Sequence, residues 1–162
     1  DWSSDVCSSD LAARPDVNAA AHSHSIYGRT FSTLGKFLDP ISQDACAFYE
    51  TQAIYKEFSG VVEEVDEGDL IAEALGDKKV IILQNHGILT TGPSVDIALW
   101  FYTSMERCCQ AQLMADAAGE TQLIPHDTAI KTRSFIANDV AAWASFQPAF
   151  DMICKKEPDL FD

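Results

Sequence analysis

Apolar and polar positions along this chain of 162 residues switch repeatedly between strand-like and helical spacing. Residues 17–24 are small or β-compatible and follow the turn signal Arg14-Pro15-Asp16, which predicts a buried strand. Ser25 is placed to cap a helix over 26–34 that meets Gly35, with Asp39-Pro40 marking the next turn. Ser42 is an N-cap candidate for a short helix over 43–49, and 53–58 reads as a strand bounded by Ser59-Gly60. Asp66 or Asp69 should cap a further helix with Leu70, Ile71, Ala74 and Leu75 on its apolar face and Gly76 at its end. Val80-Ile81-Ile82-Leu83 is too short for a helix and has the unbroken apolar character of a central strand covered on both faces. The turn signal Asn85-His86-Gly87 lets 88–91 return as a hairpin strand ending at Gly92-Pro93.

Ser94 then caps the strongest helix, predicted to run to Ala118 and close at Gly119. Ala98, Phe101, Tyr102, Met105, Cys109 and Leu113 recur at three- and four-residue spacing, and Trp100, Cys108 and Ala115 widen that stripe, which implies burial on two sides. Helical spacing resumes over 129–137 and, after the cap candidate Asn138, over 140–153, with a break expected near Pro148. Strands lead, helices intervene and a helical end closes the chain, so the expected fold class is α/β, with layers of helix around a mixed sheet.

Composition narrows the function classes. With 47% hydrophobic and 22% charged residues the chain reads as one globular domain. It has no apolar stretch of membrane-spanning length and no signal-like start, and its five cysteines do not form a disulfide framework, so the expected setting is the cytoplasm. A net charge of −14 argues against nucleic acid as a partner. The acidic runs 63–67 and 157–159 read as solvated surface. Residues 1–11 differ: Asp1-Trp2-Ser3-Ser4-Asp5-Val6-Cys7-Ser8-Ser9-Asp10-Leu11 lacks apolar periodicity and resembles the translation of a sequencing adapter. It is set apart as a non-native segment, leaving 12–162 as the folded part.

Chemistry concentrates on histidines. In an extended strand, positions i and i+2 share a face about 6.6 Å apart, so His22 and His24 can converge on one ion. His86 lies beside a glycine just past another buried strand and can reach inward. Three imidazoles with an open position form a standard catalytic zinc arrangement. A lone His-x-His is equally compatible with polar residues on a half-buried strand. His126 follows Pro125 in an expected loop and reads as an exposed histidine, while Cys46, Cys108, Cys109 and Cys154 read as packing residues. Trp100, Phe101, Tyr102 and Trp143 read as core or subunit-interface anchors.

The segment Ala12-Ala13-Arg14-Pro15-Asp16-Val17, then His22-Ser23-His24-Ser25 and Gln84-Asn85-His86-Gly87-Ile88-Leu89-Thr90-Thr91-Gly92, resembles the class II aldolase/adducin family. The resemblance covers about residues 12–119. It implies an α/β/α three-layer domain around a mostly antiparallel sheet, with His22, His24 and His86 binding a divalent metal, zinc first and manganese, iron or cobalt as compatible ions. It further implies a metal-dependent lyase acting by retro-aldol cleavage or decarboxylation on a small oxygenated substrate, in a homotetramer; the alternatives are a non-catalytic adducin-like scaffold and a sugar-phosphate epimerase. The acid/base glutamate and phosphate-binding loops of such enzymes lie upstream of the His-x-His, so the chain is expected to be the C-terminal part of the domain and inactive alone. Where sugar-phosphate aldolases of the family carry a tyrosine, this chain reads Ser42-Gln43-Asp44, which puts that activity in doubt. Gln43 and Asp44 are then either substrate or supporting contacts of the site or ordinary helix-start residues.

Overall fold

The computed structural model describes residues 14–57 and 65–161, the side chains of 65–67 and 161 excepted. The adapter-like segment, the Ser59-Gly60 boundary and the side chains of the acidic run 63–67 lie outside the described residues. Four strands form one sheet: β1 (Ala19–Ser23), β2 (Gln52–Tyr55), β3 (Val80–Leu83) and β4 (Gly87–Gly92), in the order β1-β4-β3-β2. β1 and β3 both run antiparallel to β4, and β2 runs parallel to β3. The sheet is therefore mixed and mostly antiparallel, as expected, and β3 is fully buried at its centre.

Alternation along the central strands divides the core between two faces. Val80, Ile82 and Ile88 point to one side, where they pack with α1 (Ile26–Ser32) and the long α3 (Val95–Ala118). Ile81, Leu83 and Leu89 point to the other, against Ile71 and Leu75 of α2 (Val65–Leu75). These faces with the sheet between them make the α/β/α sandwich. Each fully buried Ile or Leu contributes about 1.5–3 kcal/mol, so both faces are needed to hold the central strands. Two further helices, α4 (His126–Ile136) and α5 (Asp139–Lys156), pack outside, α5 mainly on α3.

Several elements differ from their sequence reading. Asp66 and Asp69 lie inside α2 and do not cap it; Ile71, Ala72 and Leu75 are its buried face, while Leu70 is 45% exposed. The stretch after Ser42 winds as a 3-10 helix, Asp44–Phe48, with Ser42 Oγ accepting from Ala45 N at 3.2 Å. α5 continues through Pro148, where a break was expected. His126 is the first residue of α4, within 3.1 Å of the Tyr49 hydroxyl and 3.6 Å of Glu50. No helix among the described residues is long and apolar enough to cross a membrane.

Candidate metal centre

β1 and the β3–β4 turn bring the three histidines together. His22 pairs across the sheet with Leu89, and Ser23 with Ile88, so the end of β1 lies beside the start of β4. His86 sits in the tight turn between β3 and β4, its N–H donating to the Leu83 carbonyl at 3.0 Å. Asn85 takes the left-handed conformation (φ 63°) that Asn tolerates and this turn requires. Gly87 supplies the space: a Cβ there would lie 3.1 Å from the Ser23 carbonyl and 3.5 Å from the His22 ring.

The ring centroids are 5.4 Å apart for His22 and His24, 4.9 Å for His22 and His86, and 4.8 Å for His24 and His86. One nitrogen from each ring falls within 4.8 Å of the other two. The Nε2 atoms of His24 and His86 lie 2.8 Å apart. Tetrahedral coordination at a Zn–N distance near 2.1 Å separates nitrogens by about 3.4 Å, so His24 and His86 need separate only slightly to share an ion.

The electronic state of the rings also fits. His22 Nδ1 lies 2.9 Å from the Ile88 carbonyl. A carbonyl only accepts, so the proton sits on Nδ1 and the lone pair on Nε2, which leaves Nε2 able to bind an ion. That Nε2 is buried and has no hydrogen-bond partner among the described residues. A buried polar atom without a partner is costly in a native protein and is commonly explained by a ligand. Burial holds His86 down to about 4, helped by the neighbouring charges of His22 and His24, and burial likewise lowers His22. Both rings are thus kept neutral, the form in which imidazole binds metal.

Of the five residues singled out for the site, the structure brings these three together and leaves two apart. Asp44 begins the 3-10 helix and lines a cavity of about 380 Å³ with Trp100, Ser104 and Arg107 of α3. Gln43 precedes it on the surface. At 100° per residue, Trp100, Ser104 and Arg107 occupy the side of α3 opposite Tyr102 and Glu106, which contact the residues around His24. Those two contacts were not singled out as site residues from the sequence, because only the packing of α3 across β1 reveals them.

With the geometry in place, comparison with known proteins decides the family. The family described as Class II Aldolase and Adducin N-terminal domain matches residues 9–113. The chain belongs to this family. It is 41% identical over 148 residues to the decarboxylase NovR of Streptomyces niveus, covering 91% of this chain and 55% of that protein. It is 40% identical to the 4-hydroxy-3-prenylphenylpyruvate oxygenase/4-hydroxy-3-prenylbenzoate synthase of Streptomyces roseochromogenus subsp. oscitans, covering 91% and 53%. Among solved structures it is similar to the L-fuculose 1-phosphate aldolase from Glaciozyma antarctica PI12, with a TM-score of 0.85, 41% identity and coverage of 95% of this chain and 58% of that one. The chain spans about half the length of the curated relatives it matches. The class II aldolase and adducin fold is thus shared over nearly all of the chain.

Proposed function

We propose that this class II aldolase and adducin chain is the metal-holding part of a metal-dependent lyase that cleaves or decarboxylates a small oxygenated substrate. One observation carries the reading: one nitrogen from each of three imidazoles lies within 4.8 Å of the other two, and the buried His22 Nε2 has no hydrogen-bond partner among the described residues. A divalent ion held there, zinc first and iron, manganese or cobalt with the same donors, supplies a Lewis acid with coordination positions open to substrate oxygens. The three histidines hold and orient that centre, His22 through its Ile88 anchor and His86 through the hairpin turn. Retro-aldol cleavage and decarboxylation both leave an electron pair on carbon beside a carbonyl, and both need the resulting oxyanion stabilised. The names of the relatives, a decarboxylase and a sugar-phosphate aldolase, support this shared chemistry. No proton donor or acceptor is assigned among the described residues.

The proposed setting is cytoplasmic, consistent with four free cysteines among the described residues, and the proposed assembly is a homotetramer. The test is the metal content of the chain after supply of zinc, iron, manganese and cobalt, with and without His22→Ala. One tightly held ion per chain, lost in the variant, is expected. A chain that takes up none of the four ions would sink the reading in favour of a non-catalytic scaffold.

A further inference from the structure

His24 stands one residue beyond the paired register of β1, which ends at Ser23. Both of its neighbours are gripped by a single face of α3. The Tyr102 hydroxyl lies 2.5 Å from Ser23 Oγ and donates to the Ser23 carbonyl at 3.2 Å. With its one proton so used, the phenol oxygen accepts from the Ser23 hydroxyl. One turn further along, Glu106 Oε2 accepts from Ser25 Oγ and from Gly28 N, each at 2.6 Å, and Oε1 accepts from Tyr27 N at 2.9 Å. Residues four apart on a helix are neighbours on one face, so Tyr102 and Glu106 act together on the two sides of His24.

The Glu106 contact replaces an ordinary helix cap. Ser25 occupies the N-cap position of α1 but makes no capping bond; its hydroxyl is turned to Glu106. The carboxylate then satisfies the first free N–H groups of α1, where negative charge is favoured. Gly28 permits this approach, since a Cβ there would come within 2.9 Å of Glu106 Oε2. The corner between β1 and α1, with His24 in it, is therefore fixed from a third element.

The geometry points to Tyr102 and Glu106 as positioning residues that set the ligand geometry of His24 by holding Ser23 and Ser25. This inference rests on the metal-holding reading of the three histidines. Its consequence is that metal affinity depends on a helix face that contributes no ligand. Outer groups that orient metal ligands typically control about 10- to 100-fold in affinity.

Cobalt(II) is the probe, because its ligand-field absorption reports coordination geometry as well as occupancy. Tyr102→Phe, Ser25→Ala and Glu106→Gln are compared with the parent and with Ile71→Val, a core change on the opposite face of the sheet. Thermal melting of each metal-free variant runs in parallel. The expected result is about 10- to 100-fold weaker cobalt binding and an altered spectrum in the three α3-contact variants, with parental affinity and spectrum in Ile71→Val even where it melts earlier. Parental affinity and spectrum in both Tyr102→Phe and Ser25→Ala would overturn the inference, and these two decide it should Glu106→Gln fail to fold. A parent that takes up neither cobalt nor zinc, iron or manganese would overturn the metal reading along with it; cobalt uptake that the variants retain overturns this inference alone.

Discussion

Gly87 shows how little space the histidine cluster leaves. A methyl group at this position would press on the Ser23 carbonyl at 3.1 Å, and backbone cannot yield as a flexible side chain can. Overpacking of this kind costs about 1–3 kcal/mol. Gly87→Ala is expected to lower the urea midpoint accordingly and to weaken metal binding, since the displaced Ser23 lies between His22 and His24. Unchanged metal affinity in a destabilised variant would separate the two effects and refute the second. The same rings set a pH dependence for the metal-free chain. His86 is held to about 4 and His22 is lowered, chiefly by burial, against about 6.5 for unfolded histidine. Between those values the unfolded chain binds more protons than the folded one. Stability is therefore complete above about pH 6.5 and declines as the pH falls toward 4. Asp16, held to about 2 mainly by its hydrogen bond to Arg14, loses its contribution only below its ordinary value near 3.8, so the interval from pH 6.5 to 5 reports the histidines. Urea midpoints measured across that interval should fall in the parent and fall less in His86→Ala; a parental midpoint independent of pH would contradict the assignment.

At the scale of elements, what the sequence disclosed follows from short-range pattern. The run Val80–Leu83, the Asn85-His86-Gly87 turn and the stripe of α3 are local signals, and each element forms where its pattern places it. The i, i+2 spacing likewise made His22 and His24 legible as a pair. Features that depend on partners distant in the chain were not legible. Asp66 and Asp69 are good caps by residue type, yet α2 already begins at Val65 and buries Ile71 and Leu75 under the sheet. Pro148 lacks an N–H and still continues α5, which packs along α3. Two glutamines show the same limit. Gln52 Oε1 accepts from Leu38 N at 2.9 Å while its Nε2 donates to the Leu38 carbonyl at 3.0 Å, copying a strand pairing with a side chain. Gln112, fully buried in α3, accepts from Asp39 N at 2.8 Å and donates to the Asp39 carboxylate at 2.5 Å. Together they pin the segment between α1 and the 3-10 helix to β2 and α3. Gln112→Ala leaves the Asp39 N–H without its partner and should cost about 1–3 kcal/mol, read from the urea midpoint. A loss well under that range would mean that water replaces the amide. Asn138→Ala, which removes the 2.9 Å cap to Ala141 N at the start of α5, should cost about 1 kcal/mol.

For the whole molecule, the balance lies between an acidic surface and apolar side chains left outside the core. Phe135 is 69% exposed, Val140 77%, Trp143 49% and Met152 65%, the first on α4 and the others on α5. Single exposed apolar residues are ordinary, but several on adjoining helices mark a surface suited to association. A net charge of −14 opposes association between copies of this chain. Salt screens that repulsion, with a Debye length of about 8 Å near physiological ionic strength, and leaves apolar contact largely untouched. If the proposed homotetramer forms through α4 and α5, its assembly should therefore strengthen from low to physiological salt, the reverse of assembly held by ion pairs. Sedimentation velocity over a range of protein and salt concentrations measures this directly. Trp143→Arg places a cation on this apolar surface and should shift the distribution toward monomer, while Lys56→Ala, exposed just past β2 and outside both helices, should leave it unchanged. A chain that stays monomeric at every concentration and salt, or a Trp143→Arg variant that assembles as the parent does, would remove α4 and α5 as the assembly surface.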